Sequence, residues 1–167
     1  MRTHTIELPF TPEIISNLAR GDKVILNGAL FTARDAAHKR MLEYHERGED
    51  LPLVLRETCI FYCGPSPTPP GRSCGAIGPT TSSRMDGASL ILLKSGLLAM
   101  LGKGERSPEV ENLIRKAGAV YLTCSGGVAA LMSQYVVSCE TFAWEDLGPE
   151  AIYRLVVKGF PAYVSIV

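Results

Sequence analysis

Polar and apolar residues alternate with a period of two over residues 3–8, which predicts a short strand. Thr11-Pro12-Glu13 then opens a helix with proline at its first position, and Gly21 closes it. Residues 23–30 are rich in Val, Ile and Leu and read as a buried strand. From 34 to 47 the spacing turns helical: Ala37, Met41 and Tyr44 share a face, and Asp35 and Lys39 are placed to pair one turn apart. Residues 58–62 form a second core strand. The segment 64–71 holds four prolines and two glycines, which excludes a helix or a central strand. Apolar sequence resumes soon after it, so it reads as a long surface loop inside one domain rather than a linker. A helix over 85–95 is stopped by Gly96, and a short strand follows over 97–101. Ser107-Pro108-Glu109 caps another helix that ends near Gly118. The pattern then predicts a strand over 119–124, a short helix over 127–133 and a strand over 135–139. A helix opened by Gly148-Pro149 and reaching about residue 158 comes next, then a closing strand over 162–167. Strands and helices alternate irregularly and no internal repeat occurs. The expectation is a single mixed α/β domain in three layers, spanning 1–167.

Composition narrows the function classes. The 167 residues suffice for one real hydrophobic core, and 46% of them are apolar. Seventeen basic and seventeen acidic residues cancel, which argues against a nucleic-acid footprint or a polybasic membrane patch. No apolar run reaches membrane-spanning length, and residues 1–9 lack a secretory hydrophobic core, so the expected compartment is the cytoplasm. Five cysteines, at 59, 63, 74, 124 and 139, form no CxxC pair. Reduced, mostly buried thiols are the favoured reading. The alternative is an iron–sulfur cluster held by Cys59, Cys63 and Cys74, although 63 to 74 matches no established cluster spacing.

The densest chemistry lies in Gly78-Pro79-Thr80-Thr81-Ser82-Ser83-Arg84-Met85-Asp86. A rigid Gly-Pro turn, four consecutive hydroxyls and an arginine stand just before a predicted helix. Free backbone N–H groups there favour an anion, and the Arg84 fork suits a carboxylate. Helix capping with a solvated Arg84 is the bland alternative. Arg34 stands at a helix start, where a cation opposes the macrodipole; an anionic partner such as Asp35 or a ligand would account for it. His38 lies one turn along and reads as structural, with orientation of Arg34 or proton transfer as the sharper reading. Lys103 is flanked by glycines that let the backbone approach a ligand, but its spacing does not match a P-loop. Ser125-Gly126-Gly127 reads as close packing, or else as an anion nest. Zinc motifs, GxSxG and paired catalytic carboxylates are missing from the sequence.

These segments together resemble the β subunit, or carboxy-terminal domain, of the iron–sulfur hydro-lyases that comprise class I fumarases and L-tartrate dehydratases. The likeness is carried by Gly21 to Val24, Thr32 to Arg40, Tyr62-Cys63-Gly64-Pro65 and the 78–86 loop. Gly102-Lys103-Gly104, Gly126 to Ala130 and Phe160-Pro161-Ala162 follow in order. Ser82-Ser83 departs from the small or glycine-containing pair expected before the arginine. The resemblance implies a swivelling β/β/α domain and the reversible hydration of a C4 dicarboxylate, fumarate to (S)-malate. It implies a [4Fe–4S] cluster held by a partner α subunit and none held by this chain, with an open iron that binds the substrate. Arg34, Arg84 and Lys103 match positions that grip substrate carboxylates, and Thr80 matches the residue proposed as catalytic base. The chain is then half of a hetero-oligomeric enzyme, inactive without the cluster-bearing α subunit. The same residues in an L-tartrate dehydratase β subunit, or in a non-catalytic carboxylate-binding or assembly module, are the alternatives.

Overall fold

Two helices begin where a hydroxyl precedes a proline. Thr11 Oγ1 accepts from the Ile14 amide at 3.3 Å and caps α1 (Pro12–Ser16), while Ser107 Oγ accepts from the Val110 amide at 3.3 Å and caps α4 (Pro108–Lys116). The computed structural model describes residues 1–125 and 129–167. Among them the remaining helices are α2 (Asp35–Glu46), α3 (Asp86–Lys94) and the single turn α5 (Ala129–Met132). The strands are β1 (Thr3–Glu7), β2 (Lys23–Thr32), β3 (Cys59–Phe61), β4 (Ala99–Gly102), β5 (Val120–Thr123), β6 (Val136–Ala143) and β7 (Ile152–Ile166).

Strands β2, β3, β4 and β5 run parallel side by side. β7 pairs antiparallel with both β5 and β2, so the sheet closes into a barrel-like ring. β1 extends β2 on the β3 side, and β6 extends β7. The architecture is thus a mixed α/β fold built on a closed sheet.

Closure explains the apolar runs. Along β3, Cys59 and Phe61 enter one core cluster and Ile60 the other; Leu101 and Met100 of β4, and Leu122 and Tyr121 of β5, divide likewise. One core fills the ring, where Phe61 and Phe160 meet edge-to-face at 5.7 Å between centroids. The other lies between the ring's outer surface and α2, α3 and α4, through Met41, Leu92 and Ile114. Strands buried on both faces show continuous hydrophobicity rather than alternation.

The helix expected from Gly148-Pro149 to about residue 158 is not formed. Those two residues belong to a 3-10 turn, Glu145–Glu150, and β7 begins immediately afterwards. Between the pairs Leu26–Phe160 and Gly28–Val157, the lone Asn27 of β2 faces Lys158 and Gly159 of β7. Gly159 adopts φ 73° there, and its amide donates to Asn27 Oδ1 at 2.8 Å. This bulge shifts the inward parity from Leu155 and Val157 to Phe160, Ala162 and Val164. A strand whose period is broken in the middle reads as two elements. The expected Asp35–Lys39 pair is also replaced, because Asp35 faces two arginines instead. The short helix expected over 127–133 is described from Ala129 onward.

Asp22 pins the start of β1. Its carboxylate, almost fully buried, accepts from the Arg2 amide and from Arg2 Nη2, both at 3.0 Å, and from the Ala19 amide at 3.1 Å, with His4 Nε2 at 3.0 Å. The Arg2 amide first, and then these other partners, hold its pKa well below the usual carboxylate range. A depressed folded-state pKa contributes stability above the unfolded value of about 3.9 and loses it as pH falls through the folded one. The melting-temperature gap between the wild type and Asp22→Asn is therefore expected to be full at pH 6 and to narrow progressively as pH falls below about 4. Thermal melts across that range check it; a gap independent of pH would contradict the assignment.

Candidate active site

Parallel strands deliver their carboxyl ends to one edge of the ring, where α/β folds commonly place ligands. β2 is extended by Ala33, whose amide donates to Phe61 O at 3.0 Å, and so brings Arg34 to the N-cap of α2. Just past β3, the Tyr62 carbonyl accepts from the Thr80 amide at 2.6 Å. Beyond the end of β4, Lys103 forms a parallel bridge with Thr81. The Ser82 amide donates to Lys103 O at 3.0 Å, and the Lys103 amide donates to Ser82 Oγ at 3.1 Å. Thr80 and Lys103 are therefore tied to adjacent backbone.

Arg34 and Arg84, fifty residues apart in sequence, share Asp35. Arg84 donates through Nε, at 3.1 Å, and through Nη2 to the two oxygens of that carboxylate in a bidentate pair. Arg34 Nη2 lies 3.9 Å from Asp35 Oδ2, and Arg34 Nε is buried without a hydrogen-bond partner among the described residues. Arg84 lowers the pKa of Asp35, chiefly through its hydrogen bonds, so the carboxylate is ionised. Glu150 accepts from the Ala36 amide at 3.1 Å and also acts on Arg84 through its charge. Asp35 contacts both guanidiniums at the α2 start, and the Lys103 backbone is bridged to Thr81 in the 80–84 loop. The arginine side chains remain 33% and 48% exposed, so the group opens outward rather than into a sealed cavity.

Close approach explains the glycines of this edge. A Cβ on Gly64 would sit 2.9 Å from Arg34 Cδ and 3.0 Å from Pro149 O; one on Gly102 would collide with Ser82 Oγ. His38 takes its structural reading. Its Nδ1 lies 2.8 Å from Arg34 O, burial drives its pKa down to about 4, and its neutral ring meets Tyr62 edge-on. The nest considered at Ser125-Gly126-Gly127 falls mostly outside the described residues.

A second layer had no local signal in the sequence. The Arg106 side chain is fully buried. Its Nε donates to Asp86 Oδ1 at 2.7 Å, Nη2 to Ser89 Oγ at 2.7 Å and Nη1 to Tyr62 Oη at 3.2 Å. Its guanidinium also lies over the rings of Tyr62 and Tyr121, 5.3 Å and 4.9 Å from their centroids. Asp86 Oδ2 accepts from the Ser107 amide at 2.8 Å. Burial pushes the Tyr121 hydroxyl up to about 12, so it stays protonated; it donates to Gly104 O at 2.8 Å and lies 2.8 Å from Ser82 Oγ. This layer clamps the Arg84 helix start to the Lys103 loop. Ser82, noted above as a departure, is one of its buried joints.

Burial raises the Cys59 and Cys63 thiols to about 12, and among the described residues no three metal-ligating side chains converge on a point. Among them, no helix is long and apolar enough to cross a membrane.

Such an edge, with two guanidiniums sharing a carboxylate beside a hydroxyl-rich loop, belongs to a mixed α/β domain. Residues 2–167 match the family described as Fumarase C-terminus, and the chain belongs to that family. It is 38% identical over 160 residues to "Fumarate hydratase 1, mitochondrial" of Leishmania major, covering 93% of this chain and 29% of that one. It is 36% identical over 159 residues to "Fumarate hydratase class I, aerobic" of Escherichia coli K12, covering 92% and 29%. A "Putative L(+)-tartrate dehydratase subunit beta" of Methanocaldococcus jannaschii is 37% identical over 155 residues, covering 90% of this chain and 80% of that one. The chain thus spans about three tenths of the fumarate hydratases and most of the tartrate-named subunit.

Proposed function

We propose that this chain is the β subunit of a class I fumarase-type hydro-lyase that interconverts fumarate and (S)-malate with a [4Fe–4S]-bearing α subunit. Residues 1–167 then form one hydro-lyase domain, and the ring with its outer helices is the swivelling β/β/α unit. The observation that carries this reading is the pair of guanidiniums sharing one carboxylate, with Arg34 Nε left without an acceptor. A buried N–H without a partner is costly, and a substrate carboxylate would satisfy it. The chain's own thiols do not suit a cluster, so the cofactor belongs to the partner in this reading.

In this proposal Arg34 and Arg84 orient one end of the diacid and Lys103 the other. Removing the proton beside a carboxylate builds extra negative charge on that carboxylate. Fixed cations stabilise that charge more than the ground state. The Thr80 alkoxide, favoured by the same cations, takes the proton and becomes the hydroxyl, and the backbone tie to Tyr62 O holds it in place. The tartrate reading keeps these roles with a different dicarboxylate, and it is supported by the tartrate-named relative, itself described as a β subunit.

Anaerobic mixing with the cluster-bearing α subunit is the test. Hydration of fumarate, with turnover requiring both chains, is the expected result. Turnover of tartrate instead selects the second reading. A stable complex active on neither assigns a non-catalytic carboxylate-binding or assembly module.

A further inference from the structure

Among the described residues Trp144 is the one non-glycine residue with a positive φ, at 58°. That conformation costs a bulky residue free energy and persists only where its surroundings hold it. They do so here. The Trp144 ring meets Tyr44 edge-to-face at 5.2 Å between centroids, and the Arg40 guanidinium lies over it at 5.5 Å. Arg40 in turn donates to both oxygens of Asp146, at 2.8 Å and 2.7 Å. The segment that joins β6 to β7 is thereby strapped along α2.

The far end of this strap reaches the first turn of the same helix. Thr32, fully buried at the end of β2, accepts from the Tyr153 amide at 3.0 Å and donates to Ala151 O at 3.4 Å. Glu150, the preceding residue, is thus held beside the start of α2, and its Oε1 accepts from the Ala36 amide at 3.1 Å. The N-cap of α2 is Arg34, whose side chain makes no capping hydrogen bond. A guanidinium carries no acceptor with which to cap. Glu150 supplies that acceptor from 114 positions away. Its neighbour Pro149 lies against the Arg34 stem, since a Cβ on Gly64 would meet both Arg34 Cδ, at 2.9 Å, and Pro149 O, at 3.0 Å. Just beyond Cδ, Arg34 Nε is buried without a partner among the described residues.

From this arrangement we propose that Glu150 is a positioning residue: by capping α2 from the β6–β7 strap it fixes Arg34, so that the free Nε–H is presented to an incoming carboxylate. The inference rests on the carboxylate-binding role proposed above for Arg34 and extends that site to a strap far away in sequence. Glu150 itself touches no substrate. The Ala33 amide ties the backbone before Arg34 to Phe61 O, and Glu150 ties the backbone after it. Without the second tie the first turn of α2 carries an unpaired amide and frays, and the guanidinium loses its fixed direction.

Two measurements test this. The first uses the full chain alone, without substrate, and reads hydrogen exchange of the Arg34 Nε–H by nitrogen-15 NMR. In Glu150→Ala this proton is expected to exchange at least about tenfold faster than in the wild type. In Glu150→Gln, which keeps an oxygen for the Ala36 amide, the rate should stay within about threefold. The second is steady-state kinetics on the complex with the α subunit proposed above. Glu150→Ala should lower kcat/KM for the dicarboxylate at least about tenfold, and Glu150→Gln should keep it within about threefold of the wild type. In an Arg34→Ala background the same Glu150→Ala change should cost less than about twofold, because its effect passes through Arg34. A residue that served stability alone would lower both backgrounds equally. Glu150→Asp, one methylene too short to reach the Ala36 amide, should behave as Glu150→Ala and replaces it where alanine unfolds the chain. Equal losses with and without Arg34, a glutamine variant as poor as the alanine one, or unaltered Nε–H exchange in Glu150→Ala would each overturn the proposal. An inactive wild-type complex in which the exchange difference persists retires the substrate reading and supports Glu150 as the residue that fixes Arg34.

Discussion

In the complex with an α subunit proposed above, replacing Arg84 by alanine is expected to lower kcat/KM for the proposed dicarboxylate by about 10³-fold, with the complex intact. Two losses combine. The bidentate grip of a charged fork on a carboxylate disappears, and such contacts are among the strongest single interactions in a site. Asp35 is also released from its pair, and Arg34 Nη2 lies only 3.9 Å from Asp35 Oδ2. Freed of Arg84, that carboxylate closes on Arg34 and competes with the substrate. The double variant Arg84→Ala/Asp35→Asn should therefore recover at least about tenfold over Arg84→Ala alone, roughly 1.4 kcal/mol of coupling. Arg84→Lys keeps the charge but not the fork and should fall between wild type and Arg84→Ala. Steady-state kinetics on purified complexes, with sizing chromatography to show assembly, measure all three. Undiminished turnover in Arg84→Ala removes this residue from the site; a double variant no better than the single one removes the competition by Asp35.

Arg106→Met should produce the largest loss of stability, about 3–5 kcal/mol, because it leaves Asp86 without its buried partner. For a domain of this size that is a fall in Tm of roughly 10 °C. The side chain removed also fills the space between Tyr62 and Tyr121 and satisfies Ser89 Oγ. Methionine has comparable volume, so the loss reports the charge and its hydrogen bonds more than a void. Adding Asp86→Asn should recover part of it, since the orphaned charge goes while an oxygen remains for the Ser107 amide. Equilibrium urea unfolding of the two single variants and the double variant gives the coupling directly. A change within about 1 kcal/mol in Arg106→Met would mean that the network is not a structural joint.

How much was readable in advance varied with the range of the forces involved. α1 and α4 carry their capping hydroxyl and proline within three residues, so their starts are written locally. β2 and α2 were legible because each keeps one period throughout most of its length. β7 was misread because its inward parity changes at Gly159, and only the facing Asn27 explains why. At the site, Arg34, Thr80, Arg84 and Lys103 were nominated by residue type and by resemblance. The pairing of Asp35 with Arg84 was not, since the nearer Lys39 fits the helical rule better. Ser82 showed only as a hydroxyl of the loop and a departure from the family's pattern, and Tyr121 and Arg106 gave no signal: a buried arginine looks like any surface one until its acceptors are known.

Short-range chemistry was decided by the order of residues alone: which turns break, which helices are capped, and which loop concentrates hydroxyls beside an arginine. Family membership was legible from the same local segments. Closure of the ring and the sharing of one carboxylate by two guanidiniums were settled by the folded chain. The physical reason is that hydrogen bonds and ion pairs act over a few ångströms. The long-range partners here are 20 to 132 positions apart in the sequence, so only the strand order of the closed sheet brings them within reach.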